Sequence, residues 1–257
     1  MGKIEVRMIA EECILVSNKY SVVDLMKAGA ALEAKIRSFG VSKIELHDDV
    51  AGYQASVDFS DKGYVGEYFH QSINTLPPAM FQGITCQTPD GAVVATSAMR
   101  CDDIAGWDLA KYIREFWMRA YRTEAGEPVQ LAPDAVPFAA GISGPIAYIG
   151  DTYVAPQYRS HNLAAYLVRL CLVVANTKWR PVYTYGWMAR HHAFEKALFL
   201  RWGYTTCYAG GLVWKKPPAN KAYADLCFLG CDPAAIAQLL KRPLDIGLDD
   251  AGTNKPQ

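Results

Sequence analysis

The chain of 257 residues is 51% hydrophobic and 20% charged, so it can bury a substantial core in one large domain or two small ones. Its 26 Lys and Arg residues balance its 26 Asp and Glu residues, which argues against a general nucleic-acid or membrane-surface binder but leaves room for a local basic pocket. Seven scattered cysteines without a Cys-x-x-Cys pair argue against a disulfide scaffold or a zinc ribbon, and no apolar run approaches the roughly 20 residues of a membrane span, so we expect a soluble, cytoplasmic protein with no membrane partner.

The first part of the chain mixes strand and helix patterns. Ser21 is a favourable N-cap, and the apolar spacing that follows it ends at Gly40, which predicts a helix between them. Two β-rich runs flank the turn sequence Thr-Pro-Asp-Gly, which predicts a hairpin. In chain order, we expect strands within 4–16, a helix over 22–39, a short helix near 65–74, and hairpin strands at 81–87 and 92–101.

The second part alternates strands with helices, which predicts a mixed α/β sheet. The segment 125–139 contains three prolines and is expected to be a loop. The helix 160–177 is apolar on nearly all sides, so we expect it to be covered on more than one face. The predicted helices are 102–122, 160–177, 191–202 and 232–241, and the predicted strands are 146–154, 182–187, 205–215 and 221–229.

The segment from Asp151 to Ala164 has the pattern of an anion site. A strand ends at Val154, a turn containing proline follows, and a helix begins near Ser160. The first backbone N–H groups of a helix have no partner within it, and the helix dipole makes that end positive. Arg159 adds a fixed positive charge with fork geometry, so the segment suits a pyrophosphate.

This segment also resembles a signature of the GNAT N-acetyltransferase superfamily, Val-x-Pro-x-Tyr-Arg-Gly-x-Gly-x-Gly/Ala after the fourth strand. The matching residues are Val154, Pro156, Tyr158, Arg159 and Ala164. Ser160 and Asn162 stand where the family has its two inner glycines. A later family signature, aromatic-x-x-x-Gly-Phe/Tyr at a helix end, is matched by Phe199, Gly203 and Tyr204. The resemblance covers about residues 80–230.

The resemblance implies an α/β fold with a GNAT-like mixed, mostly antiparallel central sheet flanked by helices. On that basis, we expect an N-terminal extension at 1–78, which packs on the fold or partly continues it. The GNAT-like acyltransferase domain is expected at 79–243, with a helical insertion at 102–139, and a flexible tail at 244–257.

The resemblance further implies acetyl-CoA or another acyl-CoA as co-substrate. The pyrophosphate would lie on the amides of residues 160–164, and the pantetheine arm would pair with the strand near Tyr153 and Val154. Asn162 can adopt the left-handed backbone conformation, so the loop shape can survive without glycine. The implied cofactor-binding residues are Tyr153, Val154, Arg159, Ser160, His161, Asn162, Leu163, Ala164, His192 and Phe199.

Direct attack of an amine on a thioester needs a proton acceptor for the amine and a proton donor for the leaving thiolate. Asp151 stands where the family often has an acidic residue, so it is either the base, acting directly or through water, or a salt-bridging residue of the sheet surface. Gly150 before it indicates a β-bulge or a plain strand start. Phe199 occupies the position of the family's usual tyrosine acid, so Tyr204, Tyr208 or water would have to donate the proton.

Three functions stay open at this point. The first is an N-acetyltransferase acting on a small-molecule or peptide amine, with a homodimer suggested by the resemblance. The second is a GNAT-fold binding or regulatory module with degraded catalysis, favoured by Asn162 and Phe199. The third is an acyl-transferring synthase in which the N-terminal eighty residues form a partial domain for a larger acceptor.

Two further features have competing interpretations. His191, His192 and Glu195 lie at a helical spacing that could hold zinc, but a polar helix start explains them as well. The aromatic residues of 102–122 suit either a lid over the acceptor or a packing helix.

Overall fold

The computed structural model describes residues 19–242, without the side chains of residues 160 and 161. The strands expected within 4–16 and the tail expected after 244 lie outside the described residues. The strands are β1 (Lys43–His47), β2 (Phe81–Gln87), β3 (Val93–Asp103), β4 (Gln130–Leu131), β5 (Pro145–Val154), β6 (Tyr183–Ala189), β7 (Thr206–Tyr208), β8 (Trp214–Lys216) and β9 (Leu226–Cys231). The helices are α1 (Val22–Arg37), α2 (Val50–Asp58), α3 (Leu109–Glu115), α4 (Leu163–Lys178), α5 (Arg190–Phe194), α6 (Leu198–Arg201) and α7 (Pro233–Lys241).

In the part of the chain that the structure describes, seven strands form the central sheet in the order β1-β2-β3-β5-β6-β9-β7. Every neighbouring pair is antiparallel except β5 and β6, which are parallel because α4 connects them. The fold-class prediction is confirmed: the sheet is mixed, mostly antiparallel and flanked by helices. Strands β4 and β8 form a separate two-stranded sheet.

Helix α1 begins and ends as the sequence predicts. Ser21 and Asp24 form a reciprocal capping box, in which the Asp24 backbone N–H donates to the Ser21 hydroxyl over 3.0 Å. The buried residues of α1 share one core with α4 and α7 on one face of the sheet. Helix α4 is buried on several sides, which confirms the expectation from its apolar composition.

The opposite face of the sheet holds a second core, built largely from α2, α3 and the loops around them. Neither β1 nor α2 is predicted by the sequence, and residues 65–74 form turns instead of the expected helix. Helix α2 is short and glycine-containing, and Asp49 caps it by accepting from the Gly52 backbone N–H over 2.7 Å. Its periodicity is therefore too brief to stand out from the sequence.

The predicted helix over 102–122 is wrong at its start. Strand β3 continues to Asp103, because Arg100 and Asp102 form a buried ion pair along the strand, with 2.7 Å between the guanidinium and the carboxylate. Asp108 is the N-cap of α3, and a 3₁₀ turn follows at Trp117–Ala120. Trp117 is buried in the second core, which agrees with the packing interpretation of this aromatic segment.

Two other predicted elements are each divided in the structure. The helix expected over 191–202 is interrupted at Ala197, whose left-handed backbone (φ +48°) separates α5 from α6. The strand expected over 205–215 becomes β7 and β8 in two different sheets. Gly211 lies between β7 and β8, and a Cβ at this position would lie 2.8 Å from the Phe228 backbone nitrogen. The chain therefore passes very close to β9 here, and β7 does not continue into β8 as one strand.

The longest helices, α1 and α4, have 16 residues each. Among the residues that the structure describes, no helix combines the length and hydropathy that crossing a membrane requires.

Candidate active site

Strands β5 and β6 separate part-way along their length. They pair only at Ile146 with Tyr183, Ala147 with Thr184, and Tyr148 with Tyr185. Beyond these pairs, the edges of the two strands diverge, and a cavity of about 260 Å³ lies beside the opening. At Gly186, just past the last pair, a Cβ would lie 2.9 Å from the Tyr204 hydroxyl, so glycine keeps this opening clear.

A β-bulge lies on the other edge of β5. The register with β3 slips between Thr96 and Ala98, which confirms the bulge that Gly150 indicates. The Ser97 hydroxyl donates to the Gly150 carbonyl oxygen over 3.1 Å and lies 2.9 Å from the Thr152 hydroxyl. Asp151, at the bulge, has a left-handed backbone (φ +58°), which a short polar residue tolerates better than most.

The bulge directs the Asp151 carboxylate into a buried set of contacts. Oδ1 lies 2.5 Å from Lys62 Nζ and accepts from the Gly66 backbone N–H over 2.7 Å, while Oδ2 accepts from the Tyr53 hydroxyl over 2.7 Å. The Lys62 and Asp151 side chains are only 7% and 2% exposed. Burial lowers the pKa of Lys62, and the negative charge of Asp151 opposes that effect. Asp151 therefore fixes the segment 62–66 against β5, as in the salt-bridge alternative.

Aromatic side chains dominate the cavity wall. Burial raises the pKa of Tyr148 and Tyr204 well above the usual value for tyrosine, so both stay protonated. The charged residues of the wall are Lys62, Glu67 and Asp151. The aromatic ones are Tyr64, Tyr68, Phe69, Tyr121, Tyr148, Trp187, Trp202, Tyr204 and Tyr223.

Glu67 is held from two sides at the edge of this wall. The Tyr223 hydroxyl donates to Oε1 over 3.2 Å and lies 3.4 Å from Oε2. The Asn74 side-chain amide donates to the Glu67 carbonyl oxygen over 2.7 Å. Arg100 in turn donates to Asn74 Oδ1 over 3.1 Å, so the backbone that carries Glu67 is anchored to the second core.

The predicted anion site is formed by the end of β5, a 3₁₀ turn at Pro156–His161, and the start of α4. Asn162 is the N-cap residue and has a left-handed backbone (φ +59°), as the loop shape requires. Its side-chain oxygen accepts a hydrogen bond from Arg201 of α6. Arg159 is exposed and donates through Nε to the Val154 carbonyl oxygen over 2.9 Å.

The other cofactor-binding candidates lie around this turn. Tyr153 is half-buried on β5, and burial raises its pKa. Leu163 is fully buried in the first core, so only its backbone is available to a ligand, whereas Ala164 is half-buried. For Ser160 and His161, only the backbone is described.

Helices α5 and α6 carry the remaining candidates. His192 is half-buried, and its Nδ1 atom is buried without a hydrogen-bond partner in the described chain. Burial lowers the pKa of His192, and neighbouring positive charges add to that effect, so its ring is neutral near pH 7. Phe199 is half-buried against the first core. Tyr204 lies apart from them, at the point where β5 and β6 separate.

Two indole N–H groups of the cavity wall, Trp187 Nε1 and Trp202 Nε1, are buried without an acceptor among the described residues. Leaving a buried donor unpaired costs about 1–3 kcal/mol, so the wall favours a ligand that carries acceptor atoms. These tryptophans, together with Lys62, Glu67 and Tyr223, are not predicted by the sequence. Nothing in their local pattern marks them, because only the tertiary fold brings them together.

A metal site does not emerge from residues 19–242, where no group of three His, Cys, Asp or Glu residues has a suitable arrangement. Burial raises the pKa of the Cys86 and Cys171 thiols to about 12, so these cysteines are inert core residues. The cavity beside the opening between β5 and β6 is the candidate active site.

The mixed sheet and the bulge in β5 fit the expectations drawn from the resemblance and from Gly150. The fold class is therefore the one that the resemblance implies, a mixed and mostly antiparallel sheet flanked by helices. No family model and no curated protein matches the chain.

Among solved structures, the chain is similar to NAA60 of Arabidopsis thaliana in complex with acetyl-CoA, with 13% identity, coverage of 74% of this chain and 98% of that chain, and a TM-score of 0.41. It is also similar to a spermidine N-acetyltransferase of Vibrio cholerae, with 8% identity, coverage of 76% and 96%, and a TM-score of 0.40. A third is an IAA acetyltransferase of Bacillus cereus, with 9% identity, coverage of 74% and 98%, and a TM-score of 0.38.

Proposed function

We propose that this chain is an acyl-CoA-dependent N-acyltransferase that acts in the cytoplasm and moves an acyl group, in the simplest case acetyl, to a primary amine. The observation that carries the proposal is the opening between β5 and β6, beside which lies a cavity lined by Lys62, Asp151 and Tyr204. A ligand with an anionic end and a linear arm could lie along the free edge of β5 and present its far end to this cavity.

The residues around the opening fit such a co-substrate. Beyond Tyr148, the β5 edge has no strand partner on the β6 side within residues 19–242, and Gly186 leaves its path open. The amides at the start of α4 and the Arg159 guanidinium suit a pyrophosphate. When bound, acyl-CoA supplies a thioester. The residues proposed to hold it are Tyr153, Val154, Arg159, Ser160, His161, Asn162, Leu163, Ala164, His192 and Phe199.

The reaction needs proton transfer at two atoms, the attacking nitrogen and the leaving sulfur. Asp151 and Tyr204, the sequence-based candidates, both line the cavity. Tyr204 is suited to donate a proton to the leaving sulfur, because burial raises the pKa of its hydroxyl and keeps it protonated. Asp151 has a more restricted position, since Lys62, Gly66 and Tyr53 already occupy its oxygens.

A binding or regulatory module is the second candidate, favoured by two observations. Phe199 has no hydroxyl at the position where the family usually has one. Arg201 donates to the side chain of Asn162, so the residue that replaces a family glycine is tied to α6.

Calorimetric titration with acetyl-CoA, CoA and longer acyl-CoAs, followed by thiol release with a set of primary amines, separates the two candidates. Micromolar binding with turnover supports the transferase, and binding without turnover supports the module. Arg159→Ala should weaken binding, whereas Arg37→Ala, an exposed arginine on α1, serves as the matched control. If no acyl-CoA binds, the transferase proposal is refuted.

A further inference from the structure

The cavity contains one carboxylate that no cation neutralises. Among the described residues, its charged wall residues are Lys62, Glu67 and Asp151, and Lys62 pairs with Asp151 at 2.5 Å. Among residues 19–242, the Glu67 carboxylate has no ion-pair partner and accepts a hydrogen bond only from the neutral Tyr223 hydroxyl. The three charges therefore sum to a net negative cavity, with the excess charge on Glu67.

Tyrosine rings line the same cavity wall as this carboxylate. Tyr121 and Tyr223 have ring centroids 4.8 Å apart, and Tyr68 lies edge-on to Tyr121 at 5.7 Å and to Tyr148 at 5.8 Å. Aromatic faces attract organic cations through the ring quadrupole, and more strongly when the pair is desolvated. A cavity that combines a carboxylate with such rings binds an ammonium group in preference to an anion.

The titratable groups near Glu67 are one lysine, one aspartate and several tyrosines. The charge of Glu67 acts on Lys62 and on four tyrosines of the wall, including Tyr223. Asp151 and Tyr64 also act on Tyr223. These titratable groups are Lys62, Tyr64, Tyr68, Tyr121, Tyr148, Asp151 and Tyr223. The tyrosines stay neutral near pH 7, because burial raises the pKa of Tyr68, Tyr121, Tyr148 and Tyr223.

We propose that Glu67, oriented by Tyr223, binds the ammonium group of the acceptor and takes its proton. This inference rests on the proposed function and names its acceptor class, an organic cation without a carboxylate beside the amine. Glu67 is better placed than Asp151, because both Asp151 oxygens already accept from Lys62, Gly66 or Tyr53. Lys62 and Asp151 are then positioning residues that fix the segment next to Glu67.

The step balances as follows. The ammonium gives one proton to the Glu67 carboxylate, and the neutral amine attacks the thioester carbonyl carbon. A C–N bond forms and the C–S bond breaks, and the second proton lost by nitrogen ends on the thiolate, which leaves as a thiol. Glu67 returns its proton to solvent, so one proton is released for each amide formed.

Glu67→Gln tests the site, with Glu33→Gln on α1 as the matched control. The assay is thiol release from acetyl-CoA with tyramine and with tyrosine, two acceptors that differ only by a carboxylate beside the amine. Tyramine should be preferred at least tenfold in kcat/KM. Glu67→Gln should lower kcat/KM for tyramine by about 10²- to 10⁴-fold at pH 7, and its rate should rise with pH toward the amine pKa. The affinity for acetyl-CoA should not change.

Each result has a defined meaning. If the wild-type chain turns over amines and Glu67→Gln keeps both its rate and its pH profile, the Glu67 proposal is overturned while the transferase proposal stands. It is also overturned if Asp151→Asn, and not Glu67→Gln, removes the acidic limb of the profile. If no amine turns over, the transferase proposal fails, and calorimetry with tyramine then tests the Glu67 site separately. Weaker tyramine binding by Glu67→Gln than by the wild type supports the Glu67 proposal, and equal binding overturns it. Glu67→Asp and Tyr223→Phe provide variants in case Glu67→Gln does not fold.

Discussion

Replacing Asp151 by Asn tests the buried pair at the bulge most directly. Asparagine has nearly the same shape and tolerates the left-handed backbone of this position (φ +58°), so the substitution removes the charge with little new strain. Lys62, 7% exposed, is left without its counter-ion. Removing one partner of a buried ion pair costs about 3–5 kcal/mol, which for a chain of this size lowers Tm by about 6–20 °C.

The dependence on pH identifies the cause of the loss. Burial already lowers the pKa of Lys62 in the wild type, and losing Asp151 lowers it further. Between that folded pKa and the unfolded value of about 10.5, the unfolded chain binds more protons, so stability rises with pH. The deficit of Asp151→Asn relative to wild type should therefore shrink between neutral pH and about pH 10.

Urea unfolding at several pH values measures both effects, and a double-mutant cycle supplies the control. Lys62→Met combined with Asp151→Asn should be more stable than Asp151→Asn alone, because it removes the unpaired charge. The interpretation of the pair as a buried clamp is refuted if Asp151→Asn costs less than about 1 kcal/mol, or if the double variant is no more stable than the single one.

Four other outcomes follow from the structure. Arg159→Ala should weaken acetyl-CoA binding by about 10- to 100-fold, the value of one charge-assisted hydrogen bond, without lowering Tm, because the side chain is exposed; unchanged affinity would exclude it from the anion site. Gly186→Ala should reduce acyl-CoA binding, because its Cβ would lie 2.9 Å from the Tyr204 hydroxyl, whereas Gly29→Ala on α1, with its nearest contact at 3.7 Å, should have no effect in the same titration. Asn162→Ala should destabilise the chain by about 1–2 kcal/mol in urea unfolding, and Asn162→Gly should cost less, since only glycine adopts the left-handed backbone (φ +59°) freely. Above about pH 10, stability should fall by about 1.4 kcal/mol per pH unit for each tyrosine whose folded pKa stays far above its unfolded value, because the unfolded chain then binds fewer protons; a flat pH profile would contradict the burial of Tyr53, Tyr68, Tyr148, Tyr185 and Tyr204.

The elements that the sequence predicts well are those with strong local signals. The capping box at Ser21 and the turn between β2 and β3 define their elements without help from the rest of the fold. The elements that it predicts poorly depend on contacts from distant parts of the chain. Asp102, for example, looks like a helix start, but its ion pair with Arg100 keeps it in β3.

The candidate site divides in the same way. The turn from Val154 to Asn162 is a contiguous motif and is visible in the sequence. The cavity wall is not, because Lys62 and Glu67 come from a segment whose turns carry no periodicity, while Tyr223 lies 156 positions after Glu67. Only the folded chain shows that Asp151 is paired with Lys62, whereas Glu67 has no ion-pair partner among the described residues.

The two carboxylates of the cavity lie in different environments, which suit a structural role for Asp151 and a chemical role for Glu67. Asp151 is almost fully buried and paired with Lys62, so its carboxylate serves to orient the backbone around it. Glu67 is half-buried, and among the described residues its carboxylate accepts only from one neutral hydroxyl, so it is open to a cationic ligand. A group that must exchange protons in each cycle needs the second environment. For the proposed reaction, the charge balance of the cavity therefore favours Glu67 over Asp151 as the proton acceptor.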